Sequence, residues 1–230
     1  KTYYDPLMPG ADRRRLVALC QAAGLNFYQA KARATWGFIS DASLLPLTSV
    51  DGANNIDLHV HPDAWPLHLG LSTADVFAAA RTIATGDGDI EVPSITHILL
   101  LSASYAARDL FAPSTAKSLI DAAHLLQRNG CEVDWPEFAW RLRIGREEKP
   151  VRAFLAVLDQ LGADTQAVLE HLMAAVGVEF ERVVADYAEF FLTDAGTLAR
   201  ARRELLSWAQ PGVVLRRNWQ RLSGLYHPSR

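Results

Sequence analysis

Cysteine is scarce. Cys20 and Cys131 are the only two in 230 residues, too few for a disulfide framework, so a reducing compartment, the cytoplasm, is the expected setting. Long apolar runs are missing too. The longest candidate, Ile95 to Ala107, is cut by Thr96, His97, Ser102 and Ser104, so neither a membrane span nor a secretory leader is expected. No excess of one charge is present: 23 basic and 26 acidic residues leave a net charge of −3. That argues against a dominant nucleic-acid or anionic-membrane footprint. The chain also lacks a Gly-x-Ser-x-Gly elbow, a Walker loop and a dinucleotide fingerprint. No Pro/Gly/Ser-rich linker, internal repeat or low-complexity tract divides it.

What is present is a globular composition, 50% apolar and 21% charged, enough for one large domain or two small ones. The pattern changes near residue 70. Residues 1–70 read as a mixed α/β part and residues 71–230 as almost entirely helical, an α+β chain whose two parts pack into one body. Strands are expected over Tyr3–Met8, Leu25–Arg33, Trp36–Ser40, Leu44–Val50 and Asn55–Val60. The last two form a hairpin across turn residues. Asp12 is expected to cap a helix that Gly24 stops. In the helical part, Ser72 or Thr73 caps a helix running to Gly86, and a Gly/Asp loop follows. Helices are then expected over 94–108, 114–128, 135–143, 149–161, 164–175, 177–191, 195–208 and 212–224. Asp134, with Pro136 and Glu137 after it, is a helix-start signature. Phe180, Val183, Val184, Tyr187, Phe190 and Phe191 make a packing stripe.

The segment richest in chemistry is Asn54-Asn55-Ile56-Asp57-Leu58-His59-Val60-His61-Pro62. On a strand, Asp57, His59 and His61 share one face and Ile56, Leu58 and Val60 the other. Two chemistries use such a face. In a metal-dependent hydrolase the two imidazoles and the carboxylate ligate one metal, with His68, His97, His124, His171 and His227 left to complete the set; the long helical remainder does not suit the strand–helix barrels that carry this chemistry. In nucleotidyl transfer, carboxylates on adjacent strands hold Mg²⁺ against a triphosphate. Asp57 is then the later carboxylate, and Asp5, in Tyr4-Asp5-Pro6-Leu7, is a candidate for the earlier one. Arg13 and Arg14, near a helix start where the dipole disfavours cations, face either a phosphate or solvent.

The chain resembles the uncharacterised nucleotidyltransferase-like proteins of the DNA polymerase β-like superfamily. The resemblance rests on collinear motifs over about residues 3–160: Tyr4-Asp5-Pro6-Leu7-Met8-Pro9, the helix to Gly24, Ile56-Asp57-Leu58-His59, Ile98-Leu99-Leu100-Leu101, Leu119-Ile120-Asp121 and Val133-Asp134-Trp135. It implies a small mixed sheet followed by a multi-helix part, with Asp5 and Asp57 as Mg²⁺ ligands and an NTP as substrate. A nucleoside monophosphate would pass to a small-molecule or protein acceptor, with Asp57 or His59 assisting its deprotonation. The departures are specific. Tyr3 stands at the family's first strand carboxylate, Pro6 at an apolar strand position, and Tyr105 at a helical histidine. The family's upstream strand and phosphate loop have no counterpart, and Lys1 opens almost directly on a strand, so upstream sequence is expected. A non-catalytic relative that binds a ligand or partner is the alternative, and the metal-dependent hydrolase the third reading.

The remaining residues have structural readings. His59 and His61 belong on a wet or hydrogen-bonded strand face, and His124 is a partly buried, satisfied histidine. Asp121 is expected to be structural, pairing with Arg108 or Lys117 or capping a neighbouring helix. Trp36, Trp65, Trp135 and Trp140 line a core or cleft, and Cys20 faces the core. Arg216, Arg217, Trp219, Arg221 and Tyr226 pack on the domain or on a partner. Nucleic acid is not an expected partner, and apolar helix faces allow a homodimer.

Overall fold

A computed structural model describes residues 2–4, 13–27, 47–51, 53–56, 58–108, 116–163, 212 and 215. The chain opens with β1 (Thr2–Tyr4), α1 (Arg13–Ala22) and β2 (Leu25–Phe27). Gly24 separates helix from strand at φ +86°, a left-handed conformation that a side chain would strain. β3 (Leu47–Ser49) and β4 (Asn54–Ile56) follow. The four strands form one mixed sheet in the order β1-β4-β3-β2. β1 and β4 are parallel, with Thr2 opposite Asn54, Tyr3 opposite Asn55 and Tyr4 opposite Ile56; the other pairs are antiparallel. A small core of Cys20, Leu47 and Leu58 lies under it, flanked by Leu16, Val17, Leu25 and Ile56.

β1 and β2 run up to the edge of the described residues, and β3 starts at one. β4 stops at Ile56, although Leu58 and Val60 stay buried and His59 and His61 half-buried. The apolar alternation therefore outlasts the ladder. The backbone has turned to other partners: the Val60 carbonyl accepts from the Thr73 hydroxyl at 3.0 Å. The expected strand over Trp36–Ser40 lies outside the described residues.

The helical part holds a two-stranded hairpin that the sequence reading missed. α2 covers only Thr73–Ala78. Ser72 caps it, and Asp75 closes the capping box. Ala79 has already left the helix at φ −107°, ψ 13°. β5 (Arg81–Thr85) and β6 (Gly88–Val92) then pair antiparallel across Gly86-Asp87. The expected helix to Gly86 is thus corrected: Thr82, Ile83 and Thr85 favour a strand, and Gly88, at φ +128°, supplies the conformation the turn needs.

Among the described residues four helices build the main body: α3 (Ile95–Arg108), α4 (Ala116–Asn129), α5 (Trp135–Ile144) and α6 (Glu148–Gln160). α3 is central and contacts the other three. Its buried Leu99 and Leu100 are followed by Ala103, Ala106 and Ala107, small enough for close helix approach. α6 buries every residue from Val151 to Leu158, the pattern of an enclosed helix. Leu67, Leu71 and Val76 join this core, so the segment after β4 is anchored in the helical body. The expected helices beyond residue 163 and the C-terminal basic tail lie outside the described residues. No helix among the described residues is long and apolar enough to cross a membrane.

Candidate functional site

The described residues adjoining the two candidate aspartates are the last rung of the β1–β4 ladder. The last register pair is Tyr4 and Ile56, and an aspartate follows each of them in the chain, Asp5 and Asp57. Both aspartates lie outside the described residues. His59 forms an isolated bridge just beyond β4 and is half-buried. His61 stacks on His68, with ring centroids 4.9 Å apart and planes inclined by 28°. Arg13 opens α1, and Arg14 and Arg15 are exposed. No group of three or more His, Cys, Asp or Glu among the described residues is placed to hold a metal ion.

A second polar constellation, absent from the sequence reading, lies where the segment after β4 meets the helices. Its centre is Arg141 on α5, 8% exposed at the side chain. Nε donates to Glu137 Oε1 at 2.7 Å and Nη1 to the Gly70 carbonyl at 2.8 Å. Nη1 also stands 3.4 Å from Asp75 Oδ2. His97 on α3 is fully buried, and its Nε2 lies 3.2 Å from Glu137 Oε1. His97 Nδ1 has no hydrogen-bond partner among the described residues. One guanidinium thus ties together a backbone carbonyl, the N-terminal turn of α2 and the carboxylate that meets α3.

The electrostatics follow from that geometry. The Ser72 hydroxyl bonded to Asp75 holds its carboxyl below the usual range against the cost of burial, and Arg141 adds to the effect. Burial opposes ionisation of Glu137, but Arg141 and His97 outweigh it, and its pKa is lowered. Burial drives the His97 imidazole below its ordinary value, against the pull of Glu137. Both shifts point the same way, toward the neutral form of the imidazole and the ionised form of the carboxylate. The network is closed to solvent at its His97 end, and its Arg141 end holds the Gly70 backbone.

Gly70 is part of the same joint. A Cβ there would stand 2.3 Å from the Arg141 carbonyl oxygen and 2.8 Å from the Gly145 nitrogen. The residue-61–72 segment can lie this close to α5 only because position 70 has no side chain. Nearby, the Asp134 amide donates to the buried Thr96 hydroxyl at 2.9 Å, and Asp134 Oδ1 caps α5 through the Glu137 amide at 2.9 Å. Deeper in the body, buried Ser104 donates to buried Glu147 at 3.0 Å.

The other single-residue expectations divide. Asp121 pairs with Lys117 on one helix face, Cys20 is buried, and Trp65 and Trp135 are buried or half-buried. His124 is exposed rather than partly buried, and Trp140 is 52% exposed rather than in a core or cleft. Both sit on outward faces of amphipathic helices. His97, counted as a spare metal ligand in the hydrolase reading, is bonded to Glu137. The missed network had two local signals: Glu137 and Arg141 at i, i+4, and Ser72 with Asp75 in a capping box. Neither shows that the two meet. No family model matches the chain, and no curated protein or solved structure matches it.

Proposed function

We propose that the chain is a nucleotidyltransferase-like protein that transfers a nucleoside monophosphate from Mg·NTP to a small-molecule or protein acceptor. The observation that carries this reading is the parallel pairing of β1 with β4, ending on Tyr4 opposite Ile56. The next residue in each segment is an aspartate, Asp5 and Asp57. Two carboxylates that each follow, in sequence, a residue of the same rung suit a hard divalent cation. The donor set fits one Mg²⁺. A two-cation centre needs a further carboxylate, and Tyr3, opposite Asn55, does not supply it.

In this reading Asp5 and Asp57 hold the cation. Bound there, Mg²⁺ would neutralise triphosphate oxygens and favour attack at the α-phosphorus. His59 or Asp57 takes the acceptor's proton as its oxygen bonds to that phosphorus. The bond to the bridging oxygen breaks, and pyrophosphate leaves. Arg13 and Arg14 contribute positive charge to the triphosphate. The helical body shapes the acceptor side.

The test is transfer of α-labelled nucleotide by the full-length protein, assayed with the four NTPs and Mg²⁺ against a pool of acceptors. Asp57→Ala is expected to abolish transfer, and wild-type turnover in that variant would sink the reading. Tyr3 favours one second reading, a relative that binds a nucleotide or a partner without turnover. Stoichiometric NTP binding with no labelled product would decide for it.

A further inference from the structure

The β5–β6 hairpin stands out from the body with almost every residue exposed. Ile83 and Ile90 are register partners, 43% and 49% exposed, and directly opposed residues share a face. At the base, Arg81 pairs with Glu132 at 3.3 Å. An isolated two-stranded hairpin is marginal in water, and among the described residues neither outer edge pairs with a further strand.

The two edges are not equivalent. In a two-residue hairpin the pair flanking the loop exchanges its hydrogen bonds, and the pattern alternates from there. Thr85, Ile83 and Arg81 therefore bond to β6, and the N–H and C=O groups of Thr82 and Ala84 point to the open edge. The β5 edge is uncharged from Thr82 to Thr85 and rich in β-branched residues. The β6 edge carries Asp89 and Glu91. Two β6 edges in antiparallel register about Ile90 would set these acids against each other, which disfavours pairing. Joining β5 of one copy to β6 of the next would build an open chain of subunits rather than a closed pair.

We propose that the β5 edge is a dimerisation surface whose occupant is β5 of a second copy of this chain, antiparallel about a two-fold axis at Ile83. That register pairs Thr82 with the partner's Ala84 and uses all four outward backbone groups of each strand. It makes Ile83 and the partner's Ile83 a non-hydrogen-bonded pair, the kind in which side chains come closest. The Ile90–Ile83 pair of each copy then becomes one apolar row across a four-stranded sheet. The inference is independent of the nucleotidyl-transfer reading.

Sedimentation equilibrium of the full chain across micromolar concentrations tests it. The expected mass is twice the 25.4 kDa of one chain. Ala84→Pro removes an outward donor, spares the ladder to β6 and is expected to give a monomer with an unchanged circular dichroism spectrum. On a Cys131→Ser background, Ile83→Cys is expected to form an intersubunit disulfide on oxidation, whereas Ile90→Cys is not. The crosslink keeps the proposal testable should Ala84→Pro fail to fold. A monomeric wild type, a dimer that persists in a folded Ala84→Pro variant, equal crosslinking of both cysteine variants, or a ladder of larger species would each overturn it.

Discussion

The helical body and the N-terminal sheet are held together by very different means. The body buries Phe138, Phe154 and a dense set of leucines and alanines around α3 and α6. Among the described residues the sheet's core cluster is Cys20, Leu47 and Leu58, with partly buried Leu16, Val17, Leu25 and Ile56 against it. The larger of the two described cores is the helical one, while the proposed chemistry belongs to the N-terminal part. The joint between them is polar and specific, built from Arg141, Gly70, Asp75 and Glu137. A site on a thin sheet is only as well placed as the joint that holds its exit segment.

The largest expected effect comes from breaking the body. Phe154→Ala, at a fully buried position, should cost about 3–5 kcal/mol through lost transfer energy and the cavity left behind. Urea denaturation followed by circular dichroism should show helix and sheet lost together. Next comes the joint. Arg141→Ala leaves the Gly70 carbonyl and the Glu137 carboxylate without their main partner. The cost for a fully buried pair is discounted because Asp75 and Glu137 keep 41% and 28% side-chain exposure, which gives about 2–3 kcal/mol. Hydrogen exchange should rise first in residues 67–78, with the α3–α6 core still protected.

Breaking the sheet should cost less and stay local. Leu58→Ala, 1% exposed, is expected to remove about 2 kcal/mol, the low end for a buried leucine, because its described apolar neighbours Leu16, Val17, Leu25 and Ile56 are only partly buried. Faster exchange in β2–β4 with unchanged exchange in α6 would support the division. An equal loss in both regions would erase it.

The smallest effect is graded with pH. Asp75 and Glu137 have folded pKa values below their ordinary ones, so the stability they add is present above the ordinary carboxylate range and lost as pH falls through the folded values. The folded His97 pKa is also lowered. The unfolded chain therefore binds that proton first as pH drops below about 6.5, and this too favours unfolding. The signs agree, so the body should destabilise steadily from neutral pH toward acid. His97→Gln should flatten the first part of that slope, as read from urea midpoints at successive pH values.

What the sequence revealed about the fold was what is local. Asp134 with Pro136 and Glu137 marks the start of α5, and Gly24 marks the end of α1, because caps depend on residues three or four apart. The hairpin at Arg81–Val92 was hidden by Phe77-Ala78-Ala79-Ala80, good helix formers that extend the pattern past the point where the chain leaves α2. The exposure of His124 and Trp140 depends on helix phase against neighbours. The joint was illegible for a stronger reason: Arg141 reaches Gly70, 71 residues away, and no pattern along the chain reports such a meeting. At the candidate site, the apolar-in alternation of Leu58 and Val60 was legible. The parallel rung that brings Tyr4 beside Ile56 was not, because pairing partners are fixed by the tertiary fold.

In the proposed function the paired ends of β1 and β4 lead into a metal–triphosphate site. Isothermal titration of the full-length protein with Mg·ATP, Mg·GTP, Mg·CTP and Mg·UTP tests it most directly. The account predicts micromolar binding of at least one of them, abolished by EDTA and by Asp57→Ala. No heat with any of the four, from protein shown to be folded, would contradict it.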